Sequence, residues 1–170
     1  YGYPKSLSNS AGIIAWREAQ CEFTRPGIML YGSNPLKTNL QIPELSVTMT
    51  LCSSLISIKK YKKGQAIGYS GRYICSKDTL IGVVAIGYAD GYPRSAKDGT
   101  PVFINGGFAK LAGRVSMDMI TINLNGISNP KVGDKVELFG KNVSVDNLAK
   151  CSDTISNEIY TKITLSLIHI

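Results

Sequence analysis

The feature that most constrains the fold is a change in the spacing of apolar residues near residue 45. Beyond it, apolar residues recur at every second position, as in Val47, Met49 and Leu51, which is the period of a half-buried β-strand. Asn-Gly and Asp-Gly pairs, which favour tight turns, separate the short runs. Many short strands at this spacing predict a mainly β domain, either a barrel or a sandwich. The strands are predicted at 46–58, 80–86, 101–104, 119–124, 135–139 and 163–170, with short helices at 145–150 and 154–160.

The first part of the chain follows a different pattern. Residues 10–19 predict a short helix capped by Asn9 or Ser10, and residues 21–24 predict a brief strand. Helix and strand in alternation are typical of an α/β domain. A polar stretch with a proline on each side indicates a linker, so a domain boundary is expected within 36–45.

Composition excludes several classes of protein. A chain of 170 residues with 44% hydrophobic residues can bury a core, and its length fits one domain plus part of another. The net charge of +7 comes from scattered lysines and arginines, so it is weak evidence for an anionic partner. Because the sequence begins with Tyr1 instead of Met, we expect a processed or truncated piece of a longer protein.

Cysteine and apolar spacing point to the cytoplasm. Four cysteines stand far apart without a Cys-x-x-Cys motif, which excludes a zinc knuckle and indicates thiols in a reducing compartment. The longest apolar run, 81–88, is too short to cross a bilayer, and a signal peptide is not recognisable. We therefore predict a cytoplasmic protein without a membrane partner and without a metal site.

Familiar catalytic sets are hard to build from the remaining polar residues. His169 is the single histidine and stands in an apolar run, so a structural role is favoured and a Ser-His-Asp triad is excluded. The basic run at 59–63 surrounds Tyr61 and invites a nucleic-acid interpretation. The solvated end of a strand is the favoured interpretation, and no nucleic-acid partner is predicted.

Three segments carry more chemical information. Residues 68–73 and 86–94 place tyrosines between glycines, so that a phenol, which can donate or accept a proton, stands on a backbone able to approach a ligand closely. In the third segment Ser10 is followed by Arg25-Pro26-Gly27-Ile28, which offers a hydroxyl, backbone N–H groups and an arginine. Such donors bind phosphate readily.

Taken together, these segments resemble the C-terminal half of bacterial alanine racemases. The order and spacing of the motifs match over nearly all of the chain. The motifs are Ser8-Asn9-Ser10-Ala11, 25–32 (RPGIMLYG), 68–71 (GYSG), 87–94 (GYADGYPR), 113–118 (GRVSMD) and 132–134 (VGD).

The resemblance implies an enzyme that uses pyridoxal 5′-phosphate and interconverts L- and D-alanine for peptidoglycan synthesis. Residues 1–36 would be the last part of the N-terminal α/β barrel that binds the cofactor, and residues 37–170 the C-terminal β domain. Cofactor-binding positions match Asn9, Ser10, Arg25, Gly27 and Ile28, of which Ser10 and the backbone of Gly27 and Ile28 would hold the phosphate. Arg25 would face the pyridine nitrogen and, being permanently charged, leave that nitrogen unprotonated.

The resemblance also assigns the residues that handle the substrate. Tyr69 matches the tyrosine that exchanges the α-proton on one face, and a lysine in the preceding barrel serves the other face. Family members are homodimers with shared active sites, so Tyr69 would act in the partner subunit's site. Substrate-binding positions match Met117, whose N–H would bind the carboxylate, together with Asp118, Tyr88, Arg94, Arg114 and Ile155.

The chain departs from the family pattern in three respects. The barrel lysine is absent, so the chain alone is expected to be inactive and unable to attach the cofactor covalently. Asn157 stands where many members have a tyrosine that touches the phosphate, and Ser116 stands where a cysteine is frequent. Two alternatives stay open: a related pyridoxal enzyme, either a racemase for a larger amino acid or a decarboxylase, and a non-catalytic basic β-barrel that binds RNA or another anion.

Overall fold

The computed structural model describes residues 2–36 and 43–163. The chain divides into two compact units, Tyr1–Met49 and Thr50–Ile170. Most of the strand predicted at 163–170, including His169, and most of the linker predicted within 36–45 lie outside the described residues.

The first unit contains one strand-helix-strand motif. Strand β1 (Ser6–Asn9) leads into helix α1 (Ser10–Ala15) and a 3₁₀ turn (Arg17–Ala19), and strand β2 (Phe23–Arg25) then pairs with β1 in parallel. A second 3₁₀ turn follows at Ile28–Tyr31.

The helix predicted at 10–19 is shorter than expected, and the strand predicted at 21–24 lies slightly later. Trp16 has an extended backbone (φ −133°, ψ 91°), and its N–H donates to the Gly12 carbonyl, which ends α1 at Ala15. Parallel pairing of Ser6 with Phe23 and of Asn9 with Arg25 sets the position of β2. The predicted helix and the predicted strand are therefore both present, but their boundaries differ from the predicted ones.

The second unit is built around a closed β-barrel, which confirms the mainly β prediction. Six antiparallel strands close in the order β10-β3-β6-β9-β8-β7, while β4 and β5 form a separate two-stranded sheet. The strands are β3 (Leu51–Tyr61), β4 (Ala66–Ile67), β5 (Tyr73–Ile74), β6 (Thr79–Val84), β7 (Pro101–Ile104), β8 (Gly107–Leu111), β9 (Ile120–Asn123) and β10 (Lys135–Phe139), followed by helices α2 (Val145–Cys151) and α3 (Ser156–Lys162).

Alternate residues of the barrel strands form its core. Leu55, Val84, Ile104, Ile122 and Leu138 are fully buried or 1% exposed, so the apolar period of two faces inward as the pattern predicted. A rigid barrel of this kind leaves its connecting loops to carry the site.

The barrel also corrects several boundaries. Strand β3 begins at Leu51 and extends through the lysine-rich run, because Lys59, Lys60 and Tyr61 pair with the start of β6. Strand β8 was not predicted at all. Helix α3 begins at Ser156, two residues later than expected.

Within 2–36 and 43–163, no helix is long and apolar enough to span a membrane. The same residues contain no cluster of His, Cys, Asp and Glu suited to a metal ion. Cys21, Cys52, Cys75 and Cys151 are all free thiols.

Candidate active site

In the first unit, Ser10 joins the two segments that were predicted to hold a phosphate. Its Oγ accepts hydrogen bonds from the N–H groups of Gly27 (2.8 Å) and Met29 (3.4 Å), and the residue is only 5% exposed. Ile28 begins a 3₁₀ turn, where the backbone N–H has no acceptor inside the helix. Ser10, Gly27 and Ile28 are thus brought together, whereas the side chain of Asn9 caps α1 by accepting from the N–H of Gly12 (3.0 Å).

Arg25 ends β2 and lies across β1. Its Nη1 donates to the carbonyl oxygen of Ser6 and to the Ser6 hydroxyl (2.8 Å), and its Nη2 donates to the Leu7 carbonyl (3.5 Å). No acceptor for Nε is found among the described residues. The guanidinium is therefore fixed by its two Nη atoms, while the Nε–H is left for another acceptor.

In the second unit, Tyr69 stands on an irregular turn between β4 and β5. The turn needs three left-handed residues, Gly68 (φ 75°), Ser70 (φ 59°) and Gly71 (φ 59°), and the N–H of Gly71 closes it on the Gly68 carbonyl (3.2 Å). The Tyr69 side chain is 67% exposed. The phenol thus projects into solvent from a short turn.

The Tyr69 turn packs against the segment that contains Arg114 and Met117. A Cβ added to Gly68 would lie 3.2 Å from the backbone nitrogen of Arg114, and a Cβ added to Gly113 would lie 3.3 Å from the carbonyl oxygen of Ile67. Because these approaches are tighter than ordinary Cβ contacts, the glycines allow two motifs 45 residues apart (113 − 68) to meet. The motif 113–118 therefore lies beside the phenol-bearing turn.

The motif 87–94 packs against the other end of the same segment. A Cβ on Gly87 would lie 2.2 Å from the Met117 carbonyl oxygen, so only glycine fits. The N–H groups of Tyr88 and Ala89 donate to the carbonyls of Ser116 (3.0 Å) and Met117 (2.8 Å). These bonds fix Met117 while its own N–H, among the described residues, has no acceptor.

Side chains around Met117 combine apolar exposure with positive charge. The side chains of Met117 and Tyr88 are 58% and 44% exposed, and the Arg94 guanidinium lies over the Tyr88 ring, 5.8 Å from its centroid. Arg114 has a buried Nε without a hydrogen-bond partner in the described structure. Asp118 lies next to Met117 and is exposed. The surface is suited to a small anionic ligand.

Ile155 and Asn157 lie at the start of α3. Ile155 is 53% exposed and precedes the first helical residue, Ser156. Asn157 is exposed, and its carbonyl accepts from the Thr161 hydroxyl (2.9 Å). A cavity of about 330 Å³ lies beside this helix and is lined by Pro93, Arg94, Ser95, Thr154, Glu158, Ile159 and Lys162.

Among the tyrosines of these motifs, burial separates those that can exchange protons with a ligand from one that cannot. Tyr92 is 1% exposed, and burial raises the pKa of its hydroxyl far above the ordinary value. Its phenol therefore stays protonated inside the protein, whereas Tyr69 and Tyr88 face solvent.

Sequence reasoning missed one residue that connects these loops. The carboxylate of Asp98 contacts both Arg72, directly after the Tyr69 turn, and the N–H of Gly113. In the sequence Asp98 precedes Gly99 and has the ordinary signature of a turn, so local pattern contained no signal of this contact.

Comparison with known proteins agrees with this geometry. The family model "Alanine racemase, C-terminal domain" matches residues 48–169, and "Alanine racemase, N-terminal domain" matches residues 2–35. The alanine racemase of Pasteurella multocida is 48% identical over 160 residues, which cover 94% of this chain and 44% of that protein. The alanine racemase of Actinobacillus succinogenes is 47% identical over 163 residues, covering 96% of this chain and 46% of the relative.

Solved structures show the same relationship. Biosynthetic alanine racemase from Pseudomonas aeruginosa superimposes with a TM-score of 0.91 at 44% identity, covering 96% of this chain and 46% of that one. Alanine racemase from Bartonella henselae with covalently bound pyridoxal phosphate gives a TM-score of 0.83 at 28% identity, covering 93% and 44%. The chain thus spans less than half the length of these relatives. By sequence and by structure, the chain belongs to the alanine racemase family.

Proposed function

We propose that this chain is the C-terminal half of an enzyme that interconverts L- and D-alanine. In this proposal residues 1–36 are the end of the cofactor-binding barrel and residues 37–170 are the β domain. The observation that carries the proposal is the exposed phenol of Tyr69 on a turn packed against the Arg114–Met117 segment.

The donors of the first unit fit the phosphate of pyridoxal 5′-phosphate. Ser10 has a hydroxyl hydrogen left after its oxygen accepts two N–H groups, and Ile28 presents an N–H without a helical acceptor. Gly27 leaves room beside Ser10, since an added Cβ would meet nothing closer than 3.8 Å. We therefore assign the phosphate to Ser10, Gly27 and Ile28, and Asn9 to holding α1 in place beside it.

Arg25 fits the other end of the cofactor. When bound, pyridoxal 5′-phosphate supplies an electron-accepting ring that acidifies the α-hydrogen of an attached amino acid. The Nε–H of Arg25, which has no acceptor within 2–36 and 43–163, would face the pyridine nitrogen, and a guanidinium does not give up its proton near neutral pH. Arg25 thereby keeps the ring a moderate electron acceptor, which favours return of the proton over side reactions.

Racemisation explains why a tyrosine is needed on the β domain. The α-proton must leave one face of the substrate and return on the opposite face, so two groups on opposite sides serve this step. We assign one face to the Tyr69 hydroxyl, which gives or accepts the proton. The other face belongs to a lysine in the barrel part that this chain does not span.

The second unit also supplies groups to hold and orient the substrate. The N–H of Met117, for which the described residues offer no acceptor, is suited to one carboxylate oxygen, since a backbone donor fixed by the Gly87 contact stays in place during the reaction. Arg94 and Arg114 add positive charge, and Tyr88, Asp118 and Ile155 border the access path.

The proposal includes a homodimer in which Tyr69 completes the site of the partner subunit. Its support is the exposure of Tyr69, Met117 and Ile155, which in a monomer would leave apolar and catalytic groups in solvent. The D-alanine produced would serve peptidoglycan synthesis in the cytoplasm.

The proposal is tested by assaying the full-length protein with each enantiomer of alanine in the presence of pyridoxal 5′-phosphate. We expect interconversion in both directions, with serine and lysine as poorer substrates and no release of carbon dioxide. Faster turnover of a larger amino acid, or decarboxylation, would contradict the assignment. The 170-residue chain serves as a control, and borohydride should trap no cofactor on its lysines.

A further inference from the structure

The turn that carries Tyr69 has little support of its own. Ser70 is a non-glycine residue in the left-handed region, which costs free energy, and one backbone hydrogen bond, from Gly71 to Gly68, closes the turn. A phenol that transfers a proton has to be held to within a fraction of an ångström. Something outside the turn therefore has to fix it.

Asp98 provides such a contact from the loop before β7. Its Oδ2 accepts from Nε of Arg72 (3.2 Å), the residue directly after the turn, and its Oδ1 accepts from the N–H of Gly113 (2.7 Å). Both bonds have an ionised partner and are stronger than neutral hydrogen bonds. The carboxylate thus joins the end of the Tyr69 turn to the start of the segment that leads to Met117.

The Asp98–Arg72 pair differs from the other ion pairs of the second unit. The side chains of Asp98 and Arg72 are 30% and 28% exposed, whereas the side chains of the other ion pairs among the described residues, Lys62–Asp78, Lys97–Asp153 and Lys162–Glu158, are 44% to 81% exposed. Exposed pairs contribute little because water screens them. The partly covered Asp98 pair also bridges two loops of the site.

We propose that Asp98 is a positioning residue that sets the place of the Tyr69 hydroxyl relative to the Met117 N–H. Gly113 packs against Ile67 and Gly68, so the Asp98 bond to Gly113 keeps the segment 113–118 in contact with the beginning of the Tyr69 turn. The Asp98 bond to Arg72 fixes the end of the same turn. Asp98 touches neither substrate nor cofactor in this assignment. The inference rests on the proposed function of Tyr69.

The first test compares Asp98→Ala, Asp98→Asn and Asp153→Asn in the full-length protein. Asp98→Ala should lower kcat about tenfold in both directions, since a catalytic group displaced by 1 Å can cost up to about a hundredfold. The KM for alanine should change less than about twofold, because the Gly87 motif fixes Met117 independently. Asp98→Asn keeps an oxygen for Gly113 and should retain more activity, while Asp153→Asn should resemble the parent.

The second test is a double-mutant cycle with Tyr69→Phe. If Asp98 acts through the phenol, Asp98→Ala, which should lower the parent kcat about tenfold, should lower the residual rate of Tyr69→Phe less than about twofold. A full additional loss in that background, or an unchanged kcat of Asp98→Ala, would overturn the positioning role. A Tyr69→Phe protein with full activity would instead overturn the proposed function itself, and the inference with it.

Discussion

The contact between Gly87 and Met117 gives the sharpest test of how the site is assembled. In Gly87→Ala, the added methyl group would lie 2.2 Å from the Met117 carbonyl oxygen and 2.4 Å from the Asp118 nitrogen. The backbone of Gly87 is extended (φ −146°), so the substitution adds no conformational strain and tests the contact alone. Ordinary contact needs at least about 1 Å more, and the Met117 segment must move by that amount.

The magnitude follows from the bonds that the movement would break. The Tyr88 to Ser116 bond (3.0 Å) and the Ala89 to Met117 bond (2.8 Å) would both be lost. At about 1 kcal/mol for each bond, with about 1–3 kcal/mol for crowding, the free energy of unfolding should fall by about 3–5 kcal/mol. Urea denaturation of the chain measures this loss, and hydrogen exchange should show weaker protection of the Tyr88 and Ala89 amides.

A matched control separates this contact from the general effect of adding a methyl group. In Gly107→Ala, also in the second unit and without positive φ, the added methyl group lies closest to the flexible Cδ1 of Ile127 (3.1 Å), and the Ile104 carbonyl oxygen is at an ordinary contact distance of 3.8 Å. This substitution should change the free energy of unfolding by less than about 1 kcal/mol. If Gly87→Ala were as stable as Gly107→Ala and its two amides stayed protected, the reasoning would be refuted.

Two further changes test other parts of the structure. Burial tends to raise the pKa of Glu137, but hydrogen bonds from Asn142 and Val143 to the carboxylate outweigh burial, and the pKa is lowered. The ionised Glu137 therefore stabilises the folded state above about pH 4.5, and this stabilisation is lost as pH falls through the folded-state pKa. Glu137→Gln should lower the free energy of unfolding by about 2 kcal/mol at pH 7, and a constant difference down to pH 3 in urea titrations would contradict this. Ser10→Ala in the full-length protein should raise the Kd for pyridoxal 5′-phosphate about tenfold by loss of a charge-assisted bond. Ser8→Ala, which loses a bond to the Ala19 carbonyl, should leave that Kd nearly unchanged, and equal effects of the two would remove Ser10 from the phosphate site.

The barrel was predictable where local pattern and tertiary pairing agree. Strands β7 and β10 coincide with their predicted ranges, because each is a short segment rich in strand-forming apolar residues between clear turn signals. Strand β8 was missed although the preceding Asn105-Gly106 turn was recognised. In β8 the large apolar Phe108 is exposed and the small Ala109 is buried, whereas large apolar residues usually face the core and polar residues face solvent. The sequence therefore did not indicate which face of this strand points inward.

The site was predictable as a set of motifs but not as an arrangement. Resemblance singled out Tyr69, Met117 and Gly87 one motif at a time. That Gly87 lies against Met117, and Gly68 against Arg114, depends on how the barrel brings distant loops together. Asp98 was overlooked for the same reason, since its two partners are 26 and 15 residues away.

The most direct measurement of the central claim follows the α-hydrogen of alanine in Tyr69→Phe. The full-length variant is incubated in D₂O with each enantiomer separately, and deuterium incorporation and inversion are recorded. Because one acid/base group would remain, one enantiomer should still exchange its α-hydrogen without inverting, while the other should lose exchange and racemisation should fall by at least about a hundredfold. Racemisation and exchange at parental rates from both enantiomers would contradict a proton-transfer role for Tyr69.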